Sequence, residues 1–153
     1  MSVFGHKNVS FYHKLTNTFF TDKLIIETAE DYAPTFALEK ILDTLEKPVF
    51  VIGVDIPFFS KEAIEKLILN YDSSLDGIIT QSKEFLEPLC SIYSPSINSY
   101  IKEAIKENSH KLGKIIKQAN CKIITFEDSN LFVNMNTPED YQLALHQLEE
   151  KNV

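Results

Sequence analysis

The chain has 153 residues, 44% of them hydrophobic, and a formal charge of −7. That length allows one domain with a real core, spanning residues 1–153, and is too short for two. The apolar fraction excludes a disordered chain, and the acidic balance argues against a nucleic-acid-binding surface. The longest apolar run is far too short to span a bilayer, and neither an apolar leader core nor a lipidation motif is visible, so a cytoplasmic protein away from membranes is expected.

Tyr12, Leu15 and Phe19 fall at helical spacing, which predicts a helix over Val9–Phe20. Lys23–Glu27 reads as a short strand. Leu38, Ile41, Leu42 and Leu45 form one helical stripe, opened by Pro34. Val49–Val54 is a run of β-branched and aromatic residues, the pattern of a strand buried on both faces. Ser60 is placed to cap a helix whose apolar face is Ala63, Ile64, Leu67 and Ile68. Gly77–Gln81 and Leu89–Tyr93 read as strands. Ile97, Tyr100, Ile101, Ala104 and Ile105 make a helical face, and Leu112, Ile115 and Ile116 continue as a short helix. Cys121–Phe126 is a strand. Thr137-Pro138-Glu139-Asp140 opens a last helix, with Tyr141, Ala144, Leu145 and Leu148 as its buried stripe. Cys90 and Cys121 sit alone in apolar strands and read as core thiols. Strand and helix alternate, which predicts a three-layer α/β/α sandwich with a mostly parallel mixed sheet.

Asp55 is the first candidate for chemistry. It ends the Val49–Val54 strand, where open α/β sheets bind ligands, and it has no second acid beside it in sequence. A lone carboxylate there suits Mg2+ carrying phosphates, although Asp-x-Pro is also ordinary turn chemistry. Asn134 and Asn136 come second. On extended backbone, residues two apart point the same way, so the two amides face one side ahead of a helix start that favours an anion; both also suit a turn. Ser109-His110-Lys111 precedes a short helix, where a cation is disfavoured unless a phosphate offsets it; a solvated loop is the plainer reading. Only four glycines occur, at 5, 53, 77 and 113, and no Gly-rich phosphate loop can be built from them.

Three segments, in this order and at these intervals, resemble the MobA-like nucleotidyltransferases: the apolar strand ending in Asp55-Ile56-Pro57-Phe58, the strand Pro88-Leu89-Cys90-Ser91-Ile92-Tyr93, and Asn134-Met135-Asn136-Thr137-Pro138-Glu139-Asp140. Tyr32-Ala33-Pro34-Thr35 is similar to the family's Gly-Pro-Leu segment, with Ala33 in place of Gly, and Thr28 stands where an acid is common. The likeness is strongest to the molybdenum cofactor guanylyltransferases and runs from about Leu24 onward. The family's first strand and its Gly-rich phosphate loop are without a match.

The resemblance implies a Rossmann-like nucleotidyltransferase fold, N-terminally incomplete, and transfer of GMP from GTP to molybdopterin with release of pyrophosphate. It implies Mg2+ on Asp55, a nucleotide side at Thr28 and Asp55, and an acceptor side at Asn134, Asn136, Lys111 and His110. A missing first strand leaves an open sheet edge, at which a homodimer is expected to form. Without the loop, the chain alone is expected to bind triphosphate poorly. A non-catalytic binding relative and a cytidylyl or sugar-nucleotide transferase stay open as alternatives.

Overall fold

The computed structural model describes residues 2–4, 9–13, 22–26 and 33–151. The strands are β1 (Ser2–Phe4), β2 (Val9–His13), β3 (Asp22–Ile26), β4 (Val49–Gly53), β5 (Gly77–Ser82), β6 (Phe85–Tyr93) and β7 (Cys121–Phe126); the helices are α1 (Pro34–Leu45), α2 (Lys61–Leu69), α3 (Asn98–Lys106), α4 (Leu112–Gln118) and α5 (Pro138–Lys151). All seven strands lie in one sheet, in the order β3-β2-β1-β4-β6-β5-β7. β1 runs parallel to β4, and β5 parallel to β7. β2 runs antiparallel to both its neighbours, as does β6. The sheet is thus mixed; among the described strands, β2 and β6 run against the common direction.

Alternation along the strands divides the core into two layers. Val49 and Val51 of β4, Ile79 of β5 and Tyr93 of β6 pack against Leu38, Ile41 and Leu42 of α1, Ile101 of α3 and Ile115 of α4. On the other face, Ile78 of β5, Cys90 and Ile92 of β6, and Ile124 and Phe126 of β7 pack against Ala63 and Leu67 of α2, with Phe59 and Phe132 closing the layer. The β4 stripe is buried as its composition requires, with Val49, Val51 and Gly53 fully covered and Phe50 and Ile52 half-covered.

Local chemistry places the element ends. Pro34 opens α1, and Glu46 stops it in the left-handed conformation (φ 49°), donating its N–H to Leu42 O. Ser60 caps α2 as expected, its Oγ accepting from Ala63 N at 3.2 Å. β6 begins four residues earlier than its apolar run suggests, because the Lys83–Glu84 turn folds Phe85 back opposite Ser82.

Three expectations are corrected. The helix expected over Val9–Phe20 is a strand where it is described: Val9–His13 pairs with β1 and β3, and the rest lies outside the described residues. The spacing that suggested a helix is overridden by ladder hydrogen bonds on both sides. Ser2–Phe4 pairs alongside β4, so among the described residues the open edges of the sheet are β3 and β7 and not a slot left by a missing first strand. On α5, Ala144 is buried but Tyr141 is 52% exposed, so the inward stripe begins one turn later than its spacing suggests.

Candidate functional site

Asp55 is the second central residue of the tight turn that ends β4, closed by Ile56 N donating to Gly53 O at 3.3 Å, and its carboxylate folds back over Gly53. A Cβ at position 53 would stand 2.5 Å from Asp55 Oδ1 and 3.3 Å from Ile56 Cδ1. Glycine is therefore required there for close approach; its φ is negative, so it is not needed for a left-handed turn. The bare backbone of Gly53 is a cradle for the Asp55 carboxylate.

The asparagine segment meets Asp55 directly. Met135 N donates to Asp55 O at 2.8 Å. Met135 is half-buried, while Asn134 and Asn136 on either side of it are exposed. Behind them, Asp140 Oδ2 accepts from Asn136 N (3.0 Å) and Thr137 N (2.9 Å), and Asp140 N donates to Thr137 Oγ1 at 3.1 Å. This reciprocal cap satisfies the Asp140 N–H in the first turn of α5 and anchors the Asn136 and Thr137 backbone. The hydroxyl of Thr137 and these N–H groups hold the Asp140 carboxyl below its ordinary range. The side of the segment nearer the chain's interior is anchored by Phe132, which sits among Phe59 and Phe126 at ring distances of 5.6 and 6.0 Å.

β6 contributes a feature that spacing alone did not reveal. Its register against β5 jumps between Ile78 opposite Ile92 and Thr80 opposite Glu87, so Pro88 to Ser91 bulge opposite Ile79. Buried hydroxyls satisfy the carbonyls this frees. Thr80 Oγ1 donates to Glu87 O (3.1 Å) and to Cys90 O (2.9 Å), Ser91 Oγ donates to Glu87 O (2.8 Å), and Tyr93 Oη donates to Pro88 O (2.8 Å). Burial pushes the Glu87 carboxyl above its ordinary range. The thiol of Cys90 is pushed up to about 12, first by burial and then by the negative charge of Glu87 and of Asp55. Both carboxylates therefore lie within electrostatic reach of one buried sulfur.

His110 and Lys111 are placed elsewhere. His110 Nδ1 lies 3.4 Å from Thr35 Oγ1, its ring is 4.9 Å from that of Phe36, and its Nε2 is 3.0 Å from Asn108 Oδ1. It packs at the head of α1, on the layer opposite the one closed by Phe132. Lys111 is exposed at the entry to α4. Thr28 lies outside the described residues. Among the described residues no three His, Cys, Asp or Glu side chains converge on a metal position, and no helix is long and apolar enough to cross a membrane.

No protein-family model matches the chain. Individual relatives do. It is 30% identical over 114 residues to a molybdenum cofactor guanylyltransferase of Campylobacter jejuni, an alignment covering 74% of this chain and 60% of the relative. A second, from Helicobacter pylori, is 30% identical over 128 residues, covering 83% and 63%. In fold, the crystal structure of molybdopterin-guanine dinucleotide biosynthesis protein A from Archaeoglobus fulgidus matches with a TM-score of 0.70 at 20% identity, over 82% of this chain and 68% of that one. This chain belongs to the MobA-like nucleotidyltransferase family. The fold extends further, to a 4-diphosphocytidyl-2C-methyl-D-erythritol synthase from Anaerococcus prevotii (TM-score 0.59, 15% identity, 78% of this chain and 68% of that one). The chain spans about 60% of the length of the guanylyltransferases it matches.

Proposed function

We propose that this chain carries the acceptor-side half of a nucleotidyltransferase site of molybdenum cofactor biosynthesis, which transfers GMP from GTP to molybdopterin and releases pyrophosphate. The observation that carries this reading is the 2.8 Å hydrogen bond from Met135 N to Asp55 O. It joins the strand-end acid to the asparagine segment as one rim. The named relatives supply the reaction class.

Asp55 is the residue that would hold Mg2+. Its hard oxygen donors suit that ion, and the Gly53 cradle keeps them at the strand end. Bound there, Mg2+ would neutralise phosphate charge during the transfer. The attacking phosphate of the acceptor is already an anion at neutral pH, so no general base is required, and the chain's own work is positioning. Asn134 and Asn136 offer amide donors and acceptors to the acceptor without adding charge. Thr28 is proposed to lie on the nucleotide side. His110, which sits at the head of α1 apart from Asn134 and Asn136, and Lys111 beside it in sequence are left out of the acceptor side. A cytoplasmic location accompanies this reading.

The test is GMP transfer from GTP to molybdopterin with Mg2+, followed as pyrophosphate release, for the chain and for Asp55→Asn and Asn136→Ala. Transfer that requires Mg2+ and falls ~100-fold or more in Asp55→Asn supports the reading. Equal turnover of CTP, or turnover indifferent to Asp55→Asn, rejects it.

A further inference from the structure

We propose that Asp140 is a positioning residue of the transferase site, its carboxylate fixing Asn136 relative to Asp55 before the acceptor binds. The inference rests on the reading of Asn136 as an acceptor-side residue.

The backbone carries it. Three consecutive N–H groups, those of Met135, Asn136 and Thr137, are each tied down. Met135 N donates to Asp55 O at 2.8 Å, while Asn136 N and Thr137 N donate to Asp140 Oδ2 at 3.0 and 2.9 Å. Asn136 is therefore held from two directions. Its neighbour Met135 ties it to the end of β4, and its own N–H ties it to the first turn of α5. Packing contributes little here, because residues 133, 134 and 136–139 are exposed and Met135 is half-buried. On so exposed a stretch, these hydrogen bonds set where the Asn136 side chain starts from.

A helix cap does not require the whole arrangement. Tyr141 N donates to Thr137 O at 3.2 Å, which makes Thr137 the capping residue and Asp140 the third residue of α5. In a capping box the third helical residue reaches back to the N–H of the cap, and the hydroxyl of the cap accepts from the third N–H. The bonds Thr137 N to Asp140 Oδ2 and Asp140 N to Thr137 Oγ1 (3.1 Å) complete that box. The bond from Asn136 N goes one residue further, outside the helix, to the residue whose amide is read as facing the acceptor. A segment ordered in advance spares the acceptor the cost of ordering it, and a supporting group that locks a working residue is how such a site keeps its geometry.

The test is anaerobic isothermal titration of the whole chain with molybdopterin, with thermal melting alongside. The variants are Asp140→Ala, Asp140→Asn, Asn136→Ala, the double variant Asp140→Ala with Asn136→Ala, and Glu139→Gln as a control for charge in the same first turn. We expect Asp140→Ala to weaken binding ~10-fold, Asp140→Asn, which keeps an oxygen acceptor, to recover part of the loss, and Glu139→Gln to change it less than ~2-fold. Added to Asn136→Ala, Asp140→Ala should cost less than a further ~2-fold, because it acts through Asn136. Asp140→Ala binding like the wild type while Asn136→Ala loses affinity overturns the role of Asp140 and leaves the acceptor-side reading standing. A full additional loss in the double variant, or equal losses in Asp140→Ala and Glu139→Gln, also overturns it. No uptake of molybdopterin by the wild type, or unchanged affinity in Asn136→Ala, overturns the acceptor-side reading and this inference with it.

Discussion

Gly53→Ala isolates the orientation of one carboxylate from the stability of the fold. A methyl group at position 53 would stand 2.5 Å from Asp55 Oδ1, about 0.9 Å short of the 3.4 Å at which ordinary contact begins, and 3.3 Å from Ile56 Cδ1. The Ile56 methyl needs to move only slightly. The carboxylate must leave, and it can, because it is the far end of a side chain with two rotatable bonds. Its departure costs about 0.5–1.5 kcal/mol if it ends off-rotamer. Replacing glycine in a strand with negative φ returns roughly 0.5–1 kcal/mol of chain entropy. The two nearly cancel, so the melting temperature should move by no more than ~3 °C. Function should respond differently, since a displacement of about 1 Å at a site of this kind costs up to ~100-fold. Mn2+ binding by EPR and melting by circular dichroism on the same samples are the assay. A variant that binds Mn2+ as the wild type does, or a crystal structure of it with Asp55 still folded over residue 53, would refute the reasoning.

Thr80→Val keeps shape but removes the donor shared by Glu87 O and Cys90 O in a fully buried setting; it should cost about 1–3 kcal/mol by urea denaturation, and a neutral result would show that the bulge does not depend on that hydroxyl. Phe59→Ala removes the ring at the centre of contacts with Phe50, Phe126 and Phe132 and should cost about 3–5 kcal/mol. The Asp140 carboxyl is held below its ordinary value of 3.8 in the folded chain, so its stabilising effect is complete above that value and is lost as pH falls through the depressed one. Asp140→Asn should therefore flatten the acid limb of the melting curve, and an unchanged limb would count against the cap. The thiols of Cys90 and Cys121 are raised from 9.0 to about 12 and about 11, mainly by burial. The unfolded chain ionises them first, so stability should decline as pH rises above 9.0, and both should resist thiol reagents at pH 8 until the chain unfolds; rapid labelling of native Cys90 would contradict this.

The elements from Pro34 onward were legible because their signals are local. Helical stripes, the Ser60 cap, Pro34 at a helix start and the apolar run of β4 each act within a few residues, and the structure places them where those signals lie. The motif at Asn134–Asp140 was legible for the same reason, since a reciprocal cap needs only neighbours along the chain. Val9–His13 was not, because helical spacing there competes with hydrogen bonds from two strands that are distant in sequence. Tyr141 likewise fits a helical face by spacing and is left exposed by what α5 packs against.

By itself the sequence determined the family, the alternation of strand and helix, and the placing of one acid at a strand end. Tertiary structure alone decided that Met135, 80 positions further on, bonds to Asp55. Which segments meet at such a separation is set by the packing of whole faces, which no local run of residues encodes.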